Sequence, residues 1–431
     1  MRTRLASFLS VALCAFLSPL HAGNLLRVGP GRAHATIQGA IDAAVSGDLI
    51  LVDPGTYAGF VLTKALAIGS SQGSSAPIKL VGRTGVATIE VSALLAGASA
   101  TLHDMRLAHF DPTAPSIWIH DCGGFVRLSG VEVDLAADVV SATTLAVVEV
   151  ERTACFWADN FVVASAIARR GSSVVACQSC GPNRGLSALL LRDAWAILRS
   201  VKLRGFDNPT LYSGMSYGGD ALRIVGNSHA FLQRDSGPTN QLQGGNGSVY
   251  GGSAIHILGS NPVVDTWICG LTFLQPGTGP QGSGGALAVN NDRGIVQPGI
   301  ERAPPACVVE SYGAVEFGSP WLTLNSVSSI RVQAVVGARL YAVFLDARAV
   351  LARVPGVDGI GVLDFSTQQG PVFLTGGFLP STGSTVVPIS VPGDPALQGL
   401  QLTAQGALGP ARAQLPPTPA LTHGAFATVV K

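Results

Sequence analysis

Three groups of side chains in this 431-residue chain have the types and spacing to do chemistry. The first is Cys177-Gln-Ser-Cys180. A redox pair at this spacing needs a helix N-terminus to lower the thiol pKa, and a zinc site needs four ligands. No second Cys-x-x-Cys or nearby histidine pair completes such a site, and the surrounding residues read as strand. The expected role is a structural disulfide between Cys177 and Cys180, or two packed thiols. The second group is Asp134, Asp159, Asp193 and Asp220. Inverting hydrolysis needs two carboxyls facing each other across a sugar, whereas these four stand singly, as turn or surface acids do. The third group is Trp118, Tyr217, Arg223, Asn246, Tyr250 and His256. Aromatic rings with a polar handle, amides and a guanidinium are the usual equipment of a sugar-binding surface. No metal-ligand cluster or cofactor motif accompanies them, so neither a metal nor a cofactor is expected.

What would bring the third group together is an internal repeat. Segments beginning at Ser165, Ser187, Asp220 and Ser253 each show a small opening residue, an alternating apolar strand, a short turn and a second strand. Ser116–Val133 and Val147–Val163 fit the template more loosely, and Gly285–Val289 starts a further copy. The apolar period is two and valine, isoleucine and leucine dominate, which favours strands over helical repeats. The starts at 165 and 187 are 22 residues apart, and the later intervals are 33, 33 and 32. The extra residues fall just before the small opener, in insertions 205–219, 236–252 and 274–284. A solenoid carries insertions in this way, with strands in register and loops growing on one side. Alternation then turns Leu222, Ile224, Ile255 and Ile257 inward. Arg223 and His256 stand side by side on the outer face, with Trp118 in the same column several rungs earlier. The insertions, which hold Tyr217, Asn246 and Tyr250, border that face.

Residues 36–45 predict a lid for the open edge that stacked strands expose. Ile37, Ala40, Ile41 and Ala44 share one helical face, Thr36 is a suitable N-cap, and Gly47-Asp48 ends the segment. Leu49–Val52 follows as a strand and Asp53-Pro54-Gly55-Thr56-Tyr57 as a turn. This stretch, ATIQGAIDAAVSGDLILVDPGTYAG, resembles the opening of pectin-lyase-like right-handed parallel β-helix proteins, including the periplasmic copper-site maturation type. The resemblance covers about 25 residues and the rungs extend it to about residue 300. It implies an all-β fold, a right-handed parallel β-helix with an N-terminal capping helix. It implies little about activity, because such a fold hosts many functions.

The catalytic sets of that fold are not found. The NTD, DD, GHG and RIK motifs of polygalacturonase-like enzymes are absent. Ile117-Trp-Ile-His-Asp121 superficially resembles the WIDH stretch of pectate lyases, but His120 and Asp121 stand in reversed order and no R-x-P-x-x-R follows. The expected function is a non-catalytic structural or binding protein that engages a polysaccharide or cell-surface glycan; the alternative is a polysaccharide lyase or glycoside hydrolase with an unfamiliar residue set.

Composition agrees with this frame. Charged residues are 12% and hydrophobic ones 47%, with 53 glycines, which suits stacked strands and tight turns and argues against disorder. Arg2 and Arg4, the apolar run Leu5–Leu17 and the small residue Ala22 read as a cleaved signal, residues 1–22, so a secreted or periplasmic protein is expected. No later apolar run is long enough to span a membrane. Removing Arg2 and Arg4 leaves 25 basic against 26 acidic residues, so no bulk attraction to nucleic acid or anionic membrane is expected. Beyond Cys14, six cysteines (122, 155, 177, 180, 269 and 307) permit disulfides in an exported chain. The repeat predicts a β-helix over 23–310, ended by Pro304-Pro305. Alternating strands separated by Gly, Pro, Asp and Ser predict an antiparallel β-sandwich over 318–431.

Overall fold

The computed structural model describes residues 23–82, 85–107, 113–134, 141–142, 146–164, 176–177, 184–207, 218–233, 240–247, 251–258, 263–264, 267–268, 273–275, 277–278, 289–292, 295–296, 313–319, 321–334, 340–346, 349–352, 361–363, 371–409, 420–422 and 425–430. Strand dominates these residues. The one α-helix among them is Ile37–Ala43, whose N-cap Thr36 accepts from the Gly39 N–H and whose buried face is Ile37, Ala40 and Ile41. The chain forms two compact units, one of residues 26–44 and 50–309, the other of residues 310–431 with the stretches 23–25 and 45–49.

In the first unit, two large sheets are parallel. One runs in chain order through Leu49–Val52, Ala67–Ser70, Ser99–His103, Ile117–Ser129, Ala146–Asp159, Ser187–Arg192, Leu222–Val225, Ile255–Leu258 and Val289–Asp292. The other stacks Thr56–Ala58, Ile78–Val81, Met105–Leu107, Glu132–Asp134, Val162–Ala164, Lys202–Arg204, Gln241–Gln243 and Phe273–Gln275. In the first sheet Ile117, Val148, Leu189, Leu222 and Ile255 form one column and Ile119, Val150, Leu191, Ile224 and Ile257 the next. All ten are fully buried, as the period of two requires.

Two corners recur with a left-handed residue in several successive layers. Ser92, His120, Glu151, Arg192 and Val225 are aligned across the sheet. The residues after them, Ala93, Asp121, Arg152, Asp193 and Gly226, have φ between 43° and 69°. Likewise His103, Ser129, Asp159 and Arg199 are aligned. Asp104, Gly130, Asn160 and Ser200 follow them with φ between 48° and 63°. Single residues in this region turn a strand sharply, which favours Gly, Asn and Asp and strains the others.

The insertions are more than surface loops. Four of their described glycines form a file of main-chain hydrogen bonds: Gly277 donates to Gly252 (2.8 Å), Gly252 to Gly245 (2.7 Å) and Gly245 to Gly219 (2.8 Å). Gly219 then donates to Phe206 (2.8 Å) and Phe206 to Leu186 (3.1 Å). A β-carbon at Gly218, Gly245, Gly252 or Gly277 would fall onto a neighbouring backbone carbonyl. Only glycine lets chains approach so closely.

The second unit is mainly antiparallel. Gly313–Phe317, Ser326–Ala334 and Ser384–Val391 form a three-stranded sheet. Trp321–Thr323, Ala425–Val430, Gln401–Gly409, Leu340–Asp346 and Val372–Phe378 form a larger one, joined by Ala420–Leu421. Among the described residues of this larger sheet, the one parallel pairing joins Trp321–Thr323 to Ala425–Val430. Val315, Ile330 and Val332 from one sheet pack with Val343, Leu345, Leu402 and Ala404 from the other.

Candidate functional site

The parallel register aligns Glu90, Trp118, Glu149, Leu190, Arg223 and His256 in one column on the side of the first sheet away from the core. Trp118, Arg223 and His256 therefore share a column, with Glu149 and Leu190 between the first two. The column is not uniformly open. Glu149, Leu190 and His256 are buried, His256 to 1% exposure, while Trp118 and Arg223 are partly exposed. The expected open outer position of His256 is thus corrected: its Nδ1 lies 2.8 Å from the Asp220 carboxylate, whose other oxygen accepts from the Ser253 N–H at 3.0 Å. An outward side chain on a parallel strand is buried when both sheet faces are covered.

Asn246 lies elsewhere. Its Oδ1 accepts from the Thr278 N–H and hydroxyl, both at 2.9 Å, and its own N–H donates to Asp207 at 2.7 Å, which ties neighbouring layers together. Tyr217, Tyr250 and Cys180 lie outside the described residues, as does the side chain of Cys177. Cys122 and Cys155 are buried free thiols, and burial pushes the pKa of both upward. The four scattered acids each serve structure. Asp134 pairs with Arg106 at 2.8 Å and Asp159 with Arg199 at 2.6 Å. Asp193 accepts from the Asn227 N–H at 2.9 Å, and Asp220 holds His256.

Around Trp118 the fold gathers charges that no single motif announces. The indole stacks on His120, with centroids 4.0 Å apart. His120 Nε2 lies 3.2 Å from Glu90 and its Nδ1 lies 2.9 Å from Asp121. Arg152 grips Asp121 with Nε at 2.6 Å and Nη2 at 3.0 Å, and reaches Glu151 at 3.3 Å. Arg192 meets the other oxygen of Glu151 at 2.6 Å. Asp121 and Arg152 are each 51% exposed and Glu151 only 10%. The result is a relay of hydrogen-bonded polar and charged side chains across four successive parallel strands.

The relay also tunes its members. The Arg152 hydrogen bond, and then that of His120, hold the Asp121 carboxyl well below the usual carboxylate range. The same pairing with Asp121 raises the Arg152 pKa. Asp121 is therefore a carboxylate at any physiological pH and carries no proton to donate. Both nitrogens of His120 face carboxylates, so neither points to a reacting group. The arrangement suits orientation and hydrogen bonding better than proton transfer.

Glu90, Glu151, Arg152 and Arg192 were missed by motif reasoning because they belong to no contiguous pattern. A signal does exist. His120-Asp121, Glu151-Arg152 and Arg192-Asp193 are dipeptides of ionisable residues at the end of the opening strand in successive repeats, visible once the rungs are laid over one another.

Fold and site together define an all-β protein of large stacked parallel sheets with a mainly antiparallel second unit. No protein-family model, curated protein or solved structure matches the chain. No helix among the described residues is long and apolar enough to cross a membrane.

Proposed function

We propose that this is an exported, non-catalytic β-helix protein that holds a linear glycan against the outer face of its first parallel sheet. The fold part of the proposal is a right-handed parallel β-helix of the pectin-lyase-like type with a C-terminal antiparallel β-sandwich. It is supported by two parallel sheets in regular succession and by left-handed residues at matched corners. The right hand follows from the near-universal right-handed crossover between parallel strands. The capping role of Ile37–Ala43 is supported by Gln38, whose amide exchanges hydrogen bonds with Val61 N–H (2.8 Å) and C=O (3.3 Å) as a strand neighbour would. Lys64 adds to it by donating to the Ile41, Asp42 and Ala44 carbonyls at 2.7–3.0 Å.

The observation that carries the binding reading is Trp118, partly exposed within a strip of polar side chains on parallel strands spaced about 4.8 Å apart. A flat ring beside a row of donors and acceptors suits an extended sugar chain. Trp118 also keeps a buried indole N–H without an acceptor among the described residues. Such a group costs about 1–3 kcal/mol. A residue that lowers stability at a half-open position is a candidate for function. The test is a polysaccharide panel scored for both retention and product release. We expect retention without release, lost on Trp118→Ala in protein that melts like wild type. Release of shortened sugars would replace this reading with a lyase or hydrolase. Export is tested by the intact mass of the released protein, expected to begin after Ala22; a retained Met1 would exclude cleavage.

A further inference from the structure

We infer that the glycan held beside Trp118 is uncharged, and that Glu90 with the Asp121–Arg152 pair excludes carboxylated chains. The inference rests on the glycan-binding reading and narrows it to a substrate class.

An arginine near an aromatic ring would ordinarily point to an acidic sugar, because a guanidinium pairs well with a carboxylate. Here the two arginines of the network beside Trp118 are already paired. Arg152 commits Nε and Nη2 to Asp121 and Nη1 to Glu151, and Arg192 commits Nη1 to Glu151. Along this network the carboxylates Glu90, Asp121 and Glu151 outnumber the two guanidiniums of Arg152 and Arg192. A uronate entering this strip would have to displace an internal carboxylate from a bidentate pair while facing Glu90 and Asp121 at close range. Like charges near a partly desolvated surface repel more strongly than in bulk water.

A neutral sugar meets no such penalty. Its hydroxyls can donate to Glu90 and Asp121, which are 26% and 51% exposed, and accept from the guanidinium hydrogens left over on Arg152 and Arg192. Every charge keeps its partner. The network that orients the binding surface thus also sets its selectivity.

The experiment compares neutral and uronate oligosaccharides of matched length on the full-length protein, by array and then by calorimetry. The variants are Glu90→Gln and the double change Glu90→Gln with Asp121→Asn, the second of which also releases Nε and Nη2 of Arg152 from their carboxylate. Wild type is expected to bind a neutral series at least tenfold more tightly than any uronate series. The double variant should gain at least tenfold in uronate affinity, and the gain should shrink at high salt. If the double variant does not fold, Glu90→Gln alone keeps the test, with a smaller gain expected. Wild type binding uronates as well as neutral chains, or folded variants gaining nothing, would overturn the inference and leave glycan binding intact. Wild type binding neither class would overturn both.

Discussion

Asp104 shows what a single corner residue costs. It sits in the left-handed region with φ 54° and is 9% exposed, with a carboxylate oxygen 2.7 Å from where a β-carbon on Gly130 of the next layer would stand. Burial pushes its pKa up to about 6 from 3.8. An acid whose folded pKa is raised is least costly when protonated. Stability therefore falls as pH rises from about 4 through 6, and the penalty is complete above that. Asparagine tolerates the same backbone, and Asn160 occupies the same corner two layers on with φ 48°. We expect Asp104→Asn to stabilise the fold by about 1–3 kcal/mol at pH 7.5. The gain should vanish near pH 4, as read by thermal melts at both pH values. A gain independent of pH would mean that burial of charge is not the cause. The sequence marks Asp104 only as an acid after a strand; its cost comes from what stacks upon it.

At the scale of elements, the glycine file explains why the insertions are rich in that residue. A β-carbon at Gly245 would meet the Phe206 carbonyl, and backbone cannot swing aside as a side chain can. We expect Gly245→Ala to cost at least about 3 kcal/mol or to prevent folding. Gly409→Ala, whose added carbon meets nothing within 4 Å, should be close to neutral. Chemical denaturation of the two variants side by side decides the matter, and equal tolerance would dismiss the file as a packing element. Composition alone reads these glycines as loop residues, because nothing local distinguishes a flexible glycine from one pressed between two backbones. The helix Ile37–Ala43 is the opposite case. Its apolar spacing and its cap, Thr36, are both local signals and both were readable. Its attachment through Gln38 and Lys64 was not, since their partners lie 20 to 23 residues away.

For the whole molecule, the proposal of a β-helix over residues 23–310 with an independent second module makes a direct prediction. Rungs of a solenoid contact chiefly their neighbours, so stability is mostly local. A chain ending at residue 310 should keep the β-type circular dichroism and cooperative melt of that part of the full-length protein. Aggregation of the shortened chain while the full-length protein stays soluble would mean that the second module is required for folding.

Alternation of apolar residues was enough to place Leu222, Ile224, Ile255 and Ile257 in a core and to put Arg223 beside His256, because a strand's two faces follow from a period of two. The strands Trp321–Thr323, Leu340–Asp346 and Ser384–Val391 were legible for the same reason. Tertiary structure alone decided which outward side chains see solvent. His256, Trp157 and Arg127 all lie on the face away from the core and are all buried, and no local pattern encodes a second covering. It also decided that Glu90, His120, Asp121, Arg152 and Arg192 meet. The repeats differ in length, so sequence distance does not translate into rungs, and only the register of the paired strands brings those five side chains to one place.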